Sequence, residues 1–479
     1  MSNDGSRRPK VAVIGGGVAG LAVAWRLERP QDPDAVVPDV TVIEAGPEVG
    51  GNLRTEQDGD FRVEWGPNGF LDSEPATLEL ARAAGLGDTI LRSSDHARRR
   101  FLFLRGKLRE IPTSPGRFLA CDLFSPAAKA RILGELFVPG RRDLGRAAED
   151  IDTDETVWRF GARRLGAAFA DTMLDPMVRG ITGGDCRRVS LAAAFPRMVE
   201  LEKDHGGLFR ALMALGRQRR REKRAGGTGG PSGVLTSFQG GMVSLPRALA
   251  EGLRGQVLTG CPVSAIERGE DGWMVRCGDR VLGPFDAVVD GAPAHAAAGY
   301  HPDPEARQLL AGIRYNPMTV VAVALRRQDV VHPLDGFGML TPSGEGRPLL
   351  GVLWTSSIWT HRAPQGTVLL RAMAGDPAWL DLDDQDIVAR TCAELDAIYG
   401  LRGKPVRHWV FRHRQAIAEY EVGHLARLAA LDRALDRTPG LFVTGSSYRG
   451  IAVNACLKES EPMAARVRAY LSACGGNGS

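Results

Sequence analysis

The sequence predicts an α/β fold: a parallel-sheet domain assembled from separate pieces of chain, interleaved with a mixed-sheet domain and a helical insertion. Three stretches carry this expectation. Near the start, "KVAVIGGGVAGLAVAWRL" reads as strand, tight glycine turn and helix. Near the end, "GLFVTGSSYRGIAVNAC" repeats strand, glycine turn and helix, the helix beginning near Ile451. Between them, "TGCPVSAIERGEDGWMVRCGDRVLGPFDAVVDGAP" reads as successive strands, with Pro293 where the last one leaves its sheet. A chain of 479 residues also exceeds one ordinary core, so two or three domains are expected.

The first stretch carries the most chemistry. Gly15, Gly17 and Gly20 match G-x-G-x-x-G. In that pattern the first glycine makes the turn, the second lets a pyrophosphate approach backbone N–H groups, and the third packs helix on strand. The helix then presents its positive dipole end to the phosphates. The next strand, "VTVIEAG", ends in Glu44, where an acidic residue holds a ribose hydroxyl. A lone glycine pattern is a weak signal. Set after a strand, before a helix and ahead of a strand ending in Glu, it specifies a Rossmann-like dinucleotide site. The connection "ERPQDPDAVVPD" is longer than usual and reads as a surface insertion.

Composition removes several classes. Hydrophobic residues make up 43% and charged residues 25%, as in soluble globular proteins. A formal charge of +4 over this length gives no case for nucleic acid. The seven cysteines are scattered without a CxxC pair, which leaves zinc sites and redox dithiols unsupported and fits a reducing cytoplasm. "MSNDGSRRPK" lacks the apolar core of a signal peptide, and runs such as "MTVVAVAL" reach about half a membrane span. Ser-His-Asp, HExxH and GK[ST] constellations are missing. No histidine pair has helical metal spacing, and His424 reads as structural.

Downstream of Glu44, "EAGPEVGGNLRTEQDGDFRVEWGPNGF" carries Gly50-Gly51, Arg54 and Gly66-Pro67. This arrangement resembles the glycine-doublet flavoproteins, a superfamily of amine oxidases, carotenoid desaturases and protoporphyrinogen oxidases. The resemblance implies a Rossmann-like FAD-binding domain with these segments along the cofactor. Asn52 stands where Arg or Lys is more usual. Gly445, Gly450, Ile451, Ala452 and Val453 match the segment that approaches the flavin ring, and Val263 in "CPV" matches a valine at the adenine. FAD is expected to be noncovalent, because no Cys or His lies in a flavin-linkage motif. The implied FAD domain comprises 1–80, 235–295 and 410–479. A helical, substrate- or membrane-facing insertion spans 81–215, a basic flexible loop 216–234 and a substrate domain 296–409.

Within that superfamily the chain resembles protoporphyrinogen oxidase. "WGPNGFLDSEPATLELARAAGL", "ARRRFLFLRGKLREIPTSP", "VRGITGGDCRRVSLAAAFPRM", "LTSFQGGMVSLPRALA", "LLGVLWTSS" and "GSSYRGIAVNAC" follow in the family's order, from about residue 10 to about 468. The resemblance implies six-electron oxidation of protoporphyrinogen IX in three rounds at one FAD, with O2 as acceptor and hydrogen peroxide as product. It implies no acid/base pair. Arg100 matches the arginine on a substrate propionate, a role a guanidinium fork suits. Leu340, Leu350 and Met373 match apolar positions that sandwich the macrocycle, although spacing alone reads them as core. Gly180 matches a glycine whose carbonyl faces the pyrrole N–H groups; Gly180, Gly183 and Gly184 otherwise form a plain loop. Thr182, His413, Ala418 and Glu419 depart from the family's tyrosine, tryptophan, proline and glutamine, and "DGAP" replaces L-A-T-P.

The rival substrate is coproporphyrinogen III, with four propionates; more basic residues in the pocket favour it. Amine oxidase or desaturase activity is a further alternative, against which the hairpin at 98–112 speaks. Prenyl-protein escort factors share the fold without flavin chemistry, and intact Gly15, Gly17, Gly20 and Glu44 argue against that reading. The implied partners are a tetrapyrrole, O2 and the inner face of the cell membrane as a peripheral contact. A homodimer is left open.

Overall fold

In a computed structural model, residues 7–141, 143–224 and 233–476 are described. Five parallel strands form the first sheet, in the order Gln256–Leu258, Asp39–Ile43, Lys10–Ile14, Ala287–Asp290, Leu441–Val443. Its central strand lies in register with both neighbours, Val13 opposite Val42 and Val289. Both faces of such a sheet are covered, which is why these strands are continuous apolar runs rather than alternating ones. The helix Val18–Glu28 is buried at every residue except Arg26. It lies between the sheet and the C-terminal helix Val453–Gly476, whose Val453, Leu457, Met463, Val467 and Leu471 share one core with Leu21, Val23 and Trp25. A three-stranded antiparallel sheet, Val263–Arg268, Trp273–Cys277 and Arg280–Phe285, caps the other face.

The second sheet has seven strands, ordered Arg407–Ala418, Tyr315–Arg326, Thr367–Ala374, Leu349–Trp354, Gly338–Leu340, Phe101–Leu104, Lys107–Glu110. Side chains alternate across it. One face carries Phe101, Phe103, Val321, Val323, Met339, Trp354 and Leu370 onto the helix Asp384–Tyr399. The opposite face carries Met318, Val320, Leu350, Met373 and Phe411 toward Phe61, Val63 and Trp65. At its far end that face presents Leu102 and Leu340 to the helical insertion.

Three boundaries differ from the sequence expectation. The strand Arg407–Ala418 belongs to the second sheet through its pairing with Tyr315–Arg326, so the return to the first sheet does not begin at 410. The hairpin Phe101–Glu110 is an edge of the same sheet rather than part of a helical insertion, because Phe101 and Leu102 pair with Met339 and Leu340. The helix Leu208–Arg224 continues through the start of the expected 216–234 loop; residues 225–232 of that loop lie outside the described residues. The remaining insertion is held by a buried ion network. Arg164 pairs with Glu135 and Glu202, and Arg163 binds Glu202 at 2.8 Å and Glu155. All three carboxylates and Arg164 are enclosed.

Candidate cofactor and substrate site

The glycine loop sits where the strand Lys10–Ile14 leaves the first sheet. Gly15 takes φ +92°, which a side chain rarely adopts, and its N–H donates to the Ile43 carbonyl at 2.8 Å. A Cβ on Gly20 would overlap the Gly15 carbonyl oxygen, so this glycine lets the helix close onto the turn. Gly17 caps the helix, and a Cβ there would meet nothing within 4 Å: this is the open side of the loop. Glu44 accepts hydrogen bonds from the N–H groups of Gly16 (2.6 Å) and Gly46 (2.7 Å). Each carboxylate oxygen keeps a lone pair for a ribose hydroxyl. Val263 lies two residues after Cys261, whose N–H donates to the Glu44 carbonyl at 2.9 Å.

The second glycine pair crosses the first. Gly50 N–H donates to the Gly16 carbonyl at 2.8 Å, and a Cβ on Gly51 would lie 3.3 Å from Gly17 Cα. Gly66, followed by Pro67, packs on the Asn52 carbonyl. Arg54 lies 5.4 Å from the Trp65 ring centre, and its buried Nε has no partner. Trp65 stacks on Phe411 at 4.8 Å. His413 points its Nε2 at the Trp65 carbonyl, 3.2 Å away, and burial lowers its pKa, with Arg371 and Arg54 pushing the same way. This histidine is therefore neutral at pH 7 and part of the same cluster.

From the C-terminal side, Gly445 follows the strand Leu441–Val443 and faces Gly291 and Ala19 across the loop. Gly450 N–H donates to the Tyr420 hydroxyl at 2.9 Å. Ile451 and Ala452 precede the helix, which starts at Val453. His424 is buried, stacked on Tyr420 at 4.0 Å and hydrogen-bonded to the Tyr448 carbonyl at 2.8 Å.

On the substrate side, Gly180 is not in a loop. It lies in the helix Asp175–Thr182, which ends at Gly183 in the left-handed region, and a Cβ on it would press 2.5 Å from Leu340 Cδ2. Asp175 accepts from Ser343 N–H at 2.6 Å and Arg179 donates to the Thr341 carbonyl at 3.3 Å, so the helix is bolted along that strand. Leu350 and Met373 are 3% and 8% exposed, further along the same sheet face. Arg100 is exposed at the sheet's hairpin end, its guanidinium 5.0 Å from the Phe337 ring centre. Leu340 and Gly180 are thus brought together. Arg100 is set apart: the strand Gly338–Leu340 stands between its hairpin and Leu350, and a further strand before Met373. Glu419 is no loose charge. Its enclosed carboxylate accepts from Asp185 N–H (3.2 Å) and pairs with Arg188 at 3.0 Å.

Two residues escaped the sequence reading. Asn68 is 9% exposed with neither amide atom partnered; its signal was a lone polar residue inside "GPNGF". Arg371 is buried in a strand, where a charge gave no motif to read.

FAD fits what is present. Gly17 offers open space at a helix N-terminus, Glu44 retains acceptor capacity, and Arg54 Nε and the Asn68 amide are buried without partners. The seven cysteines are free thiols. Residues 18–468 match the flavin containing amine oxidoreductase family. The chain is 27% identical to coproporphyrinogen III oxidase of Bacillus subtilis (strain 168), over 98% of this chain and 99% of that one. It is 30% identical to protoporphyrinogen oxidase of Homo sapiens, over 95% and 98%. A solved structure from Exiguobacterium sp. 255-15 shares the fold with TM-score 0.81 at 22% identity, covering 97% of this chain and 99% of that one. Strand order, glycine loop and family match agree: the chain belongs to the flavin containing amine oxidoreductases and is an oxidoreductase with FAD as its cofactor.

Proposed function

We propose that the protein oxidises protoporphyrinogen IX to protoporphyrin IX, a six-electron reaction of haem biosynthesis with O2 as acceptor. One observation carries the choice of substrate. Arg98 pairs with Asp95, and Arg99 with Glu110 and Asp335. Arg100 has no carboxylate within 4 Å among the described residues, and neither has Arg179. Leu102 and Leu340 are register partners; Arg100 precedes Leu102 by two residues, and Arg179 donates to the carbonyl of Thr341, the residue after Leu340. An apolar ring with two carboxylate arms meets that arrangement, since each fork takes one carboxylate. Bound FAD supplies two-electron oxidation of a carbon centre, with O2 taking the electrons on to hydrogen peroxide. The chain supplies position and a dry apolar wall. Gly15, Gly17, Gly20, Glu44, Gly50, Gly51, Arg54, Gly66, Pro67 and Val263 would hold the cofactor, with Gly445 to Val453 closing over it.

Coproporphyrinogen III is the second reading, because the relatives from Bacillus subtilis and Staphylococcus aureus carry that activity in their names. Aerobic turnover of the two porphyrinogens side by side, followed by porphyrin fluorescence, separates the readings. Turnover of neither substrate overturns both. Arg100→Ala is expected to raise KM for the preferred substrate about ten- to hundredfold, with flavin content unchanged. Arg98→Ala serves as a control near wild type.

The same reading includes a cytoplasmic enzyme that rests on the inner face of the cell membrane. Among the described residues no helix is long and apolar enough to cross a membrane. Leu119, Leu133, Phe137 and Leu212 of the insertion are exposed at 58%, 48%, 88% and 62%, and such side chains can lie in a bilayer interface. Co-sedimentation with anionic vesicles, lost in Phe137→Asp with Leu212→Asp, is the check.

A further inference from the structure

Arg371 lies in the strand Thr367–Ala374, 5% exposed, between the register partners Ala322 and Leu353. Its Nε donates to the Glu64 carbonyl at 3.0 Å. Its Nη2 donates to the carbonyls of Trp65 (3.2 Å) and Gly66 (2.7 Å). Three consecutive backbone acceptors are thus held by one side chain. Arg371 forms no ion pair among the described residues. The carboxylate whose charge reaches it, Glu64, is already paired with Arg362 at 3.0 Å and accepts from Thr55 and the Met242 N–H. Burial draws the Arg371 guanidinium down to about 10, still charged at neutral pH.

Position gives this cation its meaning. A continuous chain of close contacts leads away from the phosphate loop. Gly51 touches Gly17, Gly66 packs on the Asn52 carbonyl, and Arg371 grips Gly66. Two residues beyond Arg371, on the same sheet face, is Met373. Arg371 therefore stands at the end of the cofactor cradle remote from the phosphates, where the cradle meets the apolar sheet. Neutral His413 adjoins it and feels its charge, while Arg54, with its unpartnered Nε, reaches back toward Gly46 beside Glu44. Counting Arg362 and Arg371 against Glu64, the junction is net positive. A buried positive charge left without a carboxylate is costly unless an anion completes it.

We propose that Arg371 is a positioning residue for the cofactor: it clamps the Glu64–Gly66 backbone against the substrate sheet and leaves an uncancelled positive charge for the negative charge a flavin ring gains on reduction. The inference rests on the FAD site above, and its readouts use bound flavin without any porphyrinogen. Failure of the substrate reading would therefore leave it standing.

The test compares holoenzyme of wild type, Arg371→Met and Arg371→Lys. FAD release on serial dilution is read by flavin fluorescence, and the midpoint potential by dye equilibration. Arg371→Met is expected to weaken FAD retention about tenfold or more and to lower the potential, because a freed segment binds less well and a reduced anion loses its counter-charge. Arg371→Lys should keep most of the potential, since an ammonium keeps the charge. It should recover only part of the retention, since the fork to adjacent carbonyls is gone. Should Arg371→Met fail to fold, the lysine variant decides alone. Wild-type retention in Arg371→Lys, or an unchanged potential in Arg371→Met, overturns the assignment.

Discussion

Gly17 and Gly20 stand three residues apart and answer to different demands. At Gly17, φ is −73° and a Cβ would meet only open space, so the fold itself tolerates a side chain. At Gly20 a Cβ collides with the Gly15 backbone. Gly17→Val is expected to fold with a loss of about 1 kcal/mol at the cap, yet to purify without flavin. Gly20→Val is expected to lose the fold. Flavin absorbance and a circular-dichroism melt separate the two; a yellow Gly17→Val protein would remove the loop from the cofactor site. Asp290 offers a pH test. It is wholly buried at the end of its strand, accepting from Ala292 N–H and the Tyr300 hydroxyl at 3.0 Å, and burial raises its carboxyl to about 7. The folded state thus holds a proton that the unfolded chain releases near pH ~4. Stability from this group is complete below that pH and declines until about 7. Asp290→Asn keeps the acceptor and cannot ionise, so its melting temperature relative to wild type should rise between about pH 5 and 7.5. A constant difference across that range would refute the buried titration.

Among the elements, legibility followed the kind of signal. The glycine turns were readable because backbone clashes leave no other residue, as at Gly15 and Gly20. The helix Leu208–Arg224 was not, because "GRQRRREKR" looks like a solvated charge run. Arg, Gln, Glu and Lys are good helix formers, and Leu208 and Phe209 anchor the start through their N–H groups on Glu135. Residues 410–418 were expected in the FAD domain, whereas their strand pairs with Tyr315–Arg326, a register distant in sequence that no local pattern encodes. Glu419 read as an isolated departure, and the fold makes it one device with Arg188. Together with Asn316, whose amide donates to the Thr182 carbonyl at 3.0 Å, they tie the turn after the Gly180 helix to the sheet. Glu419→Ala strands the Asp185 N–H and should cost about 1–3 kcal/mol in a denaturant melt. Glu419→Gln keeps an acceptor and should cost under half of that. Equal losses would mean that the charge, not the acceptor, holds the turn.

Across the chain, the first sheet draws strands from residues 10, 39, 256, 287 and 441, with the second sheet and the insertion threaded between. The last piece closes both the sheet and its helical layer. Arg468 donates to the Arg26 carbonyl at 3.1 Å and binds Glu461 at 3.0 Å, so the two helices are tied at their polar edge as well as through the core. Ending the chain at Thr444 keeps the edge strand and deletes the helix Val453–Gly476. Five large apolar side chains then leave the core, Val453, Leu457, Met463, Val467 and Leu471. At about 1.5–3 kcal/mol each the loss is roughly 7–15 kcal/mol, the whole net stability of an ordinary domain. The truncated protein should therefore aggregate and carry no FAD. Ending it after Ala473 removes the exposed Cys474 and the residues that follow it, and should change stability by under about 0.5 kcal/mol. Flavin content and size-exclusion profile of the two truncations read the outcome. A soluble, flavin-bound protein ending at Thr444 would show that the first sheet and its cofactor loop stand without the returning chain.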